Sequence, residues 1–133
     1  MTMDSPTNTP NITKKVVFVI EDDVFLVKAY QIKFQKAGAE VWAVTDGKDA
    51  LKYLEKDPPN VVLLDLLLPG ISGFEVLAEI RRNEKWKNVP VLVLSNLSQT
   101  QDVERTKALG IEGYLVKANT KINDIVEKVK KYL

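Results

Sequence analysis

The sequence contains no cysteine and no histidine among its 133 residues. Without cysteine the chain has no disulfide, no thiol nucleophile and no thiolate ligand for a metal ion. Without histidine it has no imidazole general base and cannot build the usual zinc sites. These absences exclude thiol-dependent and histidine-dependent enzyme classes, and they leave carboxylates, hydroxyls and amines as the reactive side chains.

A strong net charge and a long apolar run are also missing. The formal charge of +1 provides no general attraction to nucleic acid. No apolar stretch approaches the roughly 20 residues that a membrane-spanning helix needs. We therefore expect a cytoplasmic protein that binds neither a membrane nor nucleic acid directly.

The first residues differ in composition from the remainder of the chain. Residues 1–14 are rich in Thr, Asn and Pro and contain no apolar stretch, so they do not form a secretory signal. We predict a flexible tail over residues 1–14 and a single folded domain over residues 15–133. That length suits one domain with its own hydrophobic core.

Short apolar runs alternate with stretches of helical periodicity along the predicted domain. The predicted strands are residues 16–20, 40–44, 61–65, 89–94 and 113–116. The predicted helices are residues 24–37, 49–56, 73–83, 100–109 and 119–133. Five successive strand–helix units predict an α/β fold in which helices cover both faces of a parallel sheet. We predict a doubly wound, flavodoxin-like, five-stranded sheet with strand order 2-1-3-4-5 and five helices.

Reactive side chains stand at the ends of four of these predicted strands. Glu21 and Asp22 follow the first strand, Asp65 ends the third, Ser95 follows the fourth and Lys117 follows the fifth. Asp65 is the most informative, because it closes a wholly apolar run and a buried carboxylate is costly unless it is paired or metal-bound. In open α/β sheets, ligands bind at the carboxyl ends of the strands. The sequence therefore predicts a phosphorylatable magnesium site at that edge.

These motifs resemble those of the receiver domains of two-component response regulators. The resemblance covers residues 15–133 and rests on residues 19–23, residues 65–73, Ser95, Tyr114 and residues 116–117, in that order. It implies a signalling switch that takes a phosphoryl group from a histidine kinase or a histidine-containing phosphotransfer protein. It does not imply an enzyme in the ordinary sense, since such a domain catalyses only its own phosphorylation and dephosphorylation.

The resemblance implies a role for each residue that meets the phosphoryl group. Asp65 is the acceptor, whose carboxylate forms an acyl phosphate. Lys117 pairs first with Asp65 and then with a phosphoryl oxygen, and Ser95 donates its hydroxyl to another phosphoryl oxygen. Tyr114 is the switch aromatic that turns inward as Ser95 moves. The alternatives are a surface lysine for Lys117, a helix cap for Ser95 and, for Tyr114, a half-buried residue with its hydroxyl in water.

The resemblance also implies a Mg²⁺ site, which suits the preference of this ion for oxygen ligands. Its ligands are Asp22 directly, Glu21 mainly through a metal-bound water, Asp65, and the backbone carbonyl of Leu67. We leave Asp23 out of this site, because an acidic residue at that place favours the start of the following helix.

Four positions depart from the family pattern. Ala118 stands where a proline usually follows the lysine, so we expect either a trans peptide with a rearranged loop or a strained cis peptide. Asn96 is larger than the residue usual at its position and is expected to narrow access to the phosphoryl pocket. Leu67 and Leu97 flank that pocket and are expected to hinder attacking water, which would lengthen the phosphorylated lifetime.

The main alternative is a receiver-like module that docks to proteins without phosphate, and the complete set of site residues argues against it. An aspartyl-phosphate phosphatase would need a second Asp at position 67, and a flavodoxin would need a phosphate-binding loop after the first strand. We expect the output surface on residues 100–109, 113–116 and 119–133. Through it the domain would control a downstream protein or a linked output domain, or form a phosphorylation-dependent homodimer.

Overall fold

The protein is described by a computed structural model over residues 14–133. The predicted tail over residues 1–14 therefore lies outside the described residues, except for Lys14. The five strands are β1 Val16–Ile20, β2 Glu40–Val44, β3 Val61–Leu64, β4 Val91–Ser95 and β5 Gly113–Val116. The five α-helices of this range are α1 Val24–Lys36, α2 Gly47–Lys52, α3 Gly73–Arg82, α4 Thr100–Leu109 and α5 Ile122–Lys130. Short 3₁₀ turns follow α2 and β5, over Tyr53–Glu55 and Lys117–Asn119 respectively.

The strand order is β2-β1-β3-β4-β5, and all neighbouring strands are parallel. This confirms the predicted doubly wound sheet and its order. Ile20 lies opposite Leu64 in the pairing of β1 with β3, and Leu64 lies opposite Val93 in the pairing of β3 with β4. The carboxyl ends of these three strands therefore meet at one edge, and the residues that follow them are brought together.

The sheet is buried on both faces, which explains why its central strands are apolar throughout. One face packs against α2, α3 and the end of α4, and its buried residues include Phe18, Ile20, Leu64, Val93, Leu77 and Ile80. The other face packs against α1 and α5, and its buried residues include Val17, Val19, Leu63, Tyr30, Phe34 and Val129. Because successive strand residues alternate between the two faces, both layers anchor the polar edge of the sheet.

Most predicted element boundaries are confirmed to within two residues, and the errors are larger at the end of α2 and at both ends of α5. Helix α2 was predicted to end at residue 56 but ends at Lys52, because Tyr53–Glu55 forms a 3₁₀ turn, and α5 was predicted to end at residue 133 but ends at Lys130. The prediction began this helix at residue 119, whereas it begins at Ile122, because Lys117–Asn119 forms a separate turn. Helix α2 begins at Gly47 instead of residue 49, because the side chain of Asp46 caps it by accepting a hydrogen bond from the amide of Asp49. Such a cap satisfies an N–H group that the first turn of a helix leaves unpaired.

Gly73 sits where the first turn of α3 touches the backbone that carries Asp65. A Cβ atom at this position would lie 2.3 Å from the Asp65 carbonyl oxygen and 2.5 Å from the Leu66 Cα. Only glycine permits this approach, which places α3 directly behind the end of β3. The Gly73 amide also donates to the Leu66 carbonyl at 3.0 Å.

We expect Gly73→Ala to lower the free energy of unfolding by about 2 kcal/mol, because the added methyl group meets backbone that cannot move aside. Urea unfolding measures this change. Gly113→Ala is the matched control, since its Cβ would meet only a terminal carbon of the Leu92 side chain, at 3.1 Å. Equal losses in the two variants would show that the close approach at Gly73 has no special cost.

Candidate functional site

Asp65 is held at the end of β3 by its backbone and by both carboxylate oxygens. Its amide donates to the Ile20 carbonyl at 2.9 Å, which fixes it beside the end of β1. Its Oδ1 accepts a hydrogen bond of 3.0 Å from the Leu67 amide, and its Oδ2 lies 2.8 Å from the Lys117 Nζ. Asp65 is only 4% exposed. A buried carboxylate is thus stabilised by one ammonium and one backbone donor.

Glu21 is the second buried acid of the site and is 2% exposed. Its amide donates to the Val44 carbonyl at 3.1 Å, and its Oε2 accepts a hydrogen bond of 3.0 Å from the Asp23 amide. Burial raises the pKa of the Glu21 carboxyl to about 7, although the hydrogen bond from Lys117 lowers it in part. The protonated and ionised forms of Glu21 are therefore close in free energy near neutral pH.

Lys117 joins the two buried acids. Its Nζ lies 2.8 Å from the Asp65 Oδ2, 2.8 Å from the Glu21 Oε1 and 2.9 Å from the Glu21 Oε2. Burial by itself lowers the pKa of this amine, but the hydrogen bonds and charges of Asp65 and Glu21 outweigh it and raise the pKa. The structure places Lys117 beside Asp65, as the sequence argument expects, and adds a pairing with Glu21 that was not expected.

The acids at this edge suit a divalent cation. Glu21, Asp22 and Asp65 each offer a carboxylate oxygen, and these atoms lie within 4.8 Å of one another. Asp22 is exposed, whereas the other two are buried. Three carboxylates face a single ammonium, and hard oxygen ligands are what Mg²⁺ prefers. The residues therefore fit the ion, while the predicted contribution of the Leu67 carbonyl stays a prediction.

Asp23 belongs to the start of α1 and caps it, as expected. Its Oδ1 accepts hydrogen bonds from the amides of Phe25 at 3.0 Å and Leu26 at 3.3 Å. This use of the side chain satisfies N–H groups of the first helical turn. Asp23 thus differs from its neighbour Asp22, which stays available at the rim of the site.

Ser95 is fully buried at the end of β4, and it does not cap α4. Its Oγ accepts a hydrogen bond of 3.3 Å from the Leu97 amide. The N-terminal capping position of α4 is occupied by Gln99, which makes no side-chain capping bond. The interpretation of Ser95 as a helix cap is therefore wrong, and its hydroxyl proton can be donated elsewhere.

Tyr114 on β5 is half-buried, and like Ser95 it makes a hydrogen bond to Leu97 in the segment after β4. Its hydroxyl donates to the Leu97 carbonyl, so the interpretation that leaves this hydroxyl in water is wrong. Burial, more than the nearby acids, raises the pKa of Tyr114. The amide of Leu97 is thus bound to Ser95 and its carbonyl to Tyr114, which connects these two residues through one peptide segment.

The peptide between Lys117 and Ala118 is trans, as are all the others over residues 14–133. Of the two geometries expected there, the strained cis peptide is therefore wrong and the trans peptide is found. Residues Lys117–Asn119 form a 3₁₀ turn. The Asn96 Oδ1 accepts a hydrogen bond of 2.9 Å from the Ala118 amide. The sequence predicts only the bulk of Asn96 near the pocket and gives no sign of this contact.

The fold and this site define a doubly wound domain with a charged site at its switch point. The family model of the response regulator receiver domain matches residues 17–130. The chain therefore belongs to this family, whose members are the receiver modules of two-component signalling, and the predicted resemblance is confirmed. No helix within residues 14–133 has both the length and the apolar content needed to cross a membrane.

Individual relatives agree with this assignment. The probable methanogenesis regulatory protein FilR2 of Methanothrix harundinacea is 31% identical over 129 residues, which cover 88% of this chain and 82% of that protein. The phosphorylated cyanobacterial phytochrome response regulator RcpA has a TM-score of 0.80 at 30% identity, covering 90% of this chain and 94% of its own. The Mn²⁺-bound response regulator Rcp1 has a TM-score of 0.73 at 30% identity, covering 88% and 90%.

Other relatives are longer than this chain. The probable transcriptional regulator ycf27 of Cyanophora paradoxa is 29% identical over 106 residues, and the chain spans 43% of its length. The resemblance to this protein therefore covers less than half of its length.

Proposed function

We propose that this receiver domain is a phosphoryl-accepting switch and that Asp65 is the acceptor. The observation that carries the proposal is the paired state of Asp65, a buried carboxylate at the edge of the sheet with an ammonium 2.8 Å away. Asp22 and Glu21 lie beside it as further carboxylates. A single structural ion pair would not require this excess of acidic groups.

In the proposed reaction an Asp65 carboxylate oxygen attacks phosphorus and forms an acyl phosphate. The bond between phosphorus and a histidine nitrogen of the donor breaks, and that nitrogen keeps the electron pair. These 133 residues contain no histidine, so the donor histidine lies outside them. The proposed donor is a histidine kinase or a histidine-containing phosphotransfer protein. The domain promotes only its own phosphorylation and dephosphorylation.

The residues around Asp65 would stabilise the charge of the transferred group. Lys117 would exchange its contact with the Asp65 Oδ2 for a phosphoryl oxygen, and Ser95 would donate its hydroxyl proton to another. Glu21, Asp22, Asp65 and the Leu67 carbonyl would hold Mg²⁺. When bound, this ion supplies positive charge that offsets the negative charge of the phosphoryl oxygens. The phosphorylated state of RcpA and the bound metal of Rcp1 support this proposal by similarity.

The proposed output runs through the segment that Ser95 and Tyr114 share. A movement of Ser95 toward a phosphoryl oxygen would alter its hydrogen bond with the Leu97 amide. Through Leu97 it would also alter the hydrogen bond from the Tyr114 hydroxyl to the Leu97 carbonyl. This would bias two arrangements of the surface formed by α4, β5 and α5. A downstream protein or a linked output domain would read that surface, or two copies of the chain would associate through it.

The proposal is tested by incubating the protein with acetyl phosphate and Mg²⁺ and measuring its intact mass. We expect the wild type to gain one phosphoryl group, and we expect no gain in Asp65→Asn or when EDTA removes the metal. Asp57→Asn is a suitable control, since Asp57 is a strongly exposed carboxylate far from the edge that carries Asp65. A wild type that binds Mg²⁺ but gains no mass would favour a module that docks without phosphate.

A further inference from the structure

The segment that carries Ser95 and the turn that carries Lys117 are joined beyond the end of the sheet. The pairing of β4 with β5 ends at Ser95 and Val116, and the segments that follow are no longer paired as strands. Asn96 bridges this gap, because its Oδ1 accepts a hydrogen bond of 2.9 Å from the Ala118 amide. The Asn96 side chain thus adds one hydrogen bond beyond the last paired residues of β4 and β5. This bond joins the residue after Ser95 to the residue after Lys117.

Apart from the contacts of the Lys117 ammonium with Glu21 and Asp65, the other hydrogen bonds of the turn lie within its own segment. The Thr120 amide donates to the Lys117 carbonyl at 3.4 Å, and the Thr120 hydroxyl donates to the Val116 carbonyl at 2.9 Å. These two bonds shape the turn but do not tie it to a neighbouring strand. The bond from the Ala118 amide to Asn96 ties the backbone of the turn to the residue that follows β4.

The position of this turn controls the reach of Lys117. Its ammonium contacts two buried carboxylates that follow different strands, each at 2.8 Å. A long, flexible side chain loses much rotamer freedom when it is held in one such geometry. A small displacement of its backbone would therefore lengthen one or both contacts, and small misplacements of reacting groups have large effects on rate.

We infer that Asn96 is a positioning residue that holds the Lys117 ammonium against Asp65 and Glu21 through its bond to the Ala118 amide. Its effect on phosphoryl transfer rests on the function proposed above. Its effect on the position of Lys117 does not, and the two effects can be measured separately.

Two substitutions distinguish the hydrogen bond from the bulk of the side chain. Asn96→Leu keeps a similar shape without an acceptor, whereas Asn96→Asp keeps the acceptor oxygen. Gln99→Glu controls for the added charge of the aspartate, because Gln99 is an exposed residue nearby whose side chain does not cap α4.

The first readout is heteronuclear NMR of the whole chain without any phosphoryl donor. We expect the Lys117 ammonium signal of Asn96→Leu to broaden through faster exchange with water, and the Ala118 amide to exchange about fivefold faster, the factor that one neutral hydrogen bond provides. Asn96→Asp and Gln99→Glu are expected to match the wild type. An unchanged Lys117 signal in Asn96→Leu would overturn the inference.

The second readout is the rate of phosphorylation by acetyl phosphate with Mg²⁺. We expect the maximal rate of Asn96→Leu to fall about fivefold at an unchanged half-saturating concentration, and we expect Asn96→Asp to restore it. A wild-type rate in Asn96→Leu would overturn the role in transfer. If the Lys117 signal changes as expected but no chain gains a phosphoryl group, the proposed function fails and the positioning role stands.

Discussion

Lys117→Met is expected to lower the free energy of unfolding by about 3 kcal/mol in the absence of Mg²⁺. The substitution removes the ammonium that pairs with Asp65 and Glu21, and it leaves two carboxylates that are 4% and 2% exposed. This loss in the free energy of unfolding is at the lower end of the range for breaking a buried ion pair. Protonation of Glu21 relieves part of the repulsion between the Glu21 and Asp65 carboxylates. Urea unfolding of the two proteins at equal ionic strength measures the difference.

The same substitution is expected to make stability depend on pH in a defined direction. The pKa of Glu21 is already raised by burial from 4.5 to about 7, and loss of Lys117 removes a contact that lowers it. A carboxyl whose pKa is higher in the folded state than in the unfolded state favours folding when it is protonated. The deficit of Lys117→Met in the free energy of unfolding should therefore shrink as the pH falls toward 7, because Glu21 is protonated at a higher pH in the variant than in the wild type. Below 7 the deficit should stay constant, because Glu21 is protonated in both folded proteins.

Lys121→Met is the matched control for both experiments, since Lys121 is an exposed lysine that precedes α5 and makes no side-chain capping bond. This substitution removes the same charge away from the site. We expect little change in the free energy of unfolding or in its dependence on pH. A Lys117→Met protein as stable as this control would mean that the buried carboxylates do not need the ammonium.

Asp22→Asn is expected to abolish the stabilisation of the protein by Mg²⁺. A ligand that binds only the folded state adds about 2.7 kcal/mol at a concentration of one hundred times its dissociation constant. The wild-type melting temperature should therefore rise with Mg²⁺ and return to its original value when EDTA removes the ion. The melting temperature of the variant should not rise with Mg²⁺, because Asp22 offers one of the three carboxylate oxygens that fit the ion.

Asp23→Asn provides a close control for this experiment. It makes the same change of charge at the adjacent residue, and asparagine caps a helix about as well as aspartate. Its response to Mg²⁺ should match that of the wild type, because Asp23 is used at the start of α1. An equal loss of response in both variants would mean that general negative charge, and not a defined site, attracts the ion.

The strand order and most element boundaries were predictable because the sheet is buried on both faces. Runs such as Val16–Ile20 must be apolar throughout, and polar residues then mark where the strand ends. Trp86 was not predicted as a core residue, since it stands in a polar segment. It is nevertheless fully buried and donates its Nε1 hydrogen to the Lys56 carbonyl at 2.8 Å. No local pattern marks a contact between such distant segments.

The residues of the candidate site were predictable from their places at strand ends, but their partners were not. The sheet order brings Glu21 and Asp65 to one edge, so both could be named from the sequence. The pairing of Lys117 with Glu21 depends on how far a long side chain reaches, which spacing does not show. The bond from Ala118 to Asn96 depends on the turn after β5, whose geometry the sequence left open between two forms.

Chemical trapping of the phosphorylated protein shows whether Asp65 carries the phosphoryl group. Hydroxylamine converts an acyl phosphate to a hydroxamate, which marks the residue that carried it and is located by mass spectrometry of peptides. After treatment with acetyl phosphate and Mg²⁺, we expect the hydroxamate on Asp65. A hydroxamate on Asp22 or Glu21 instead, or a stable phosphate on Ser95, would show that Asp65 is not the acceptor.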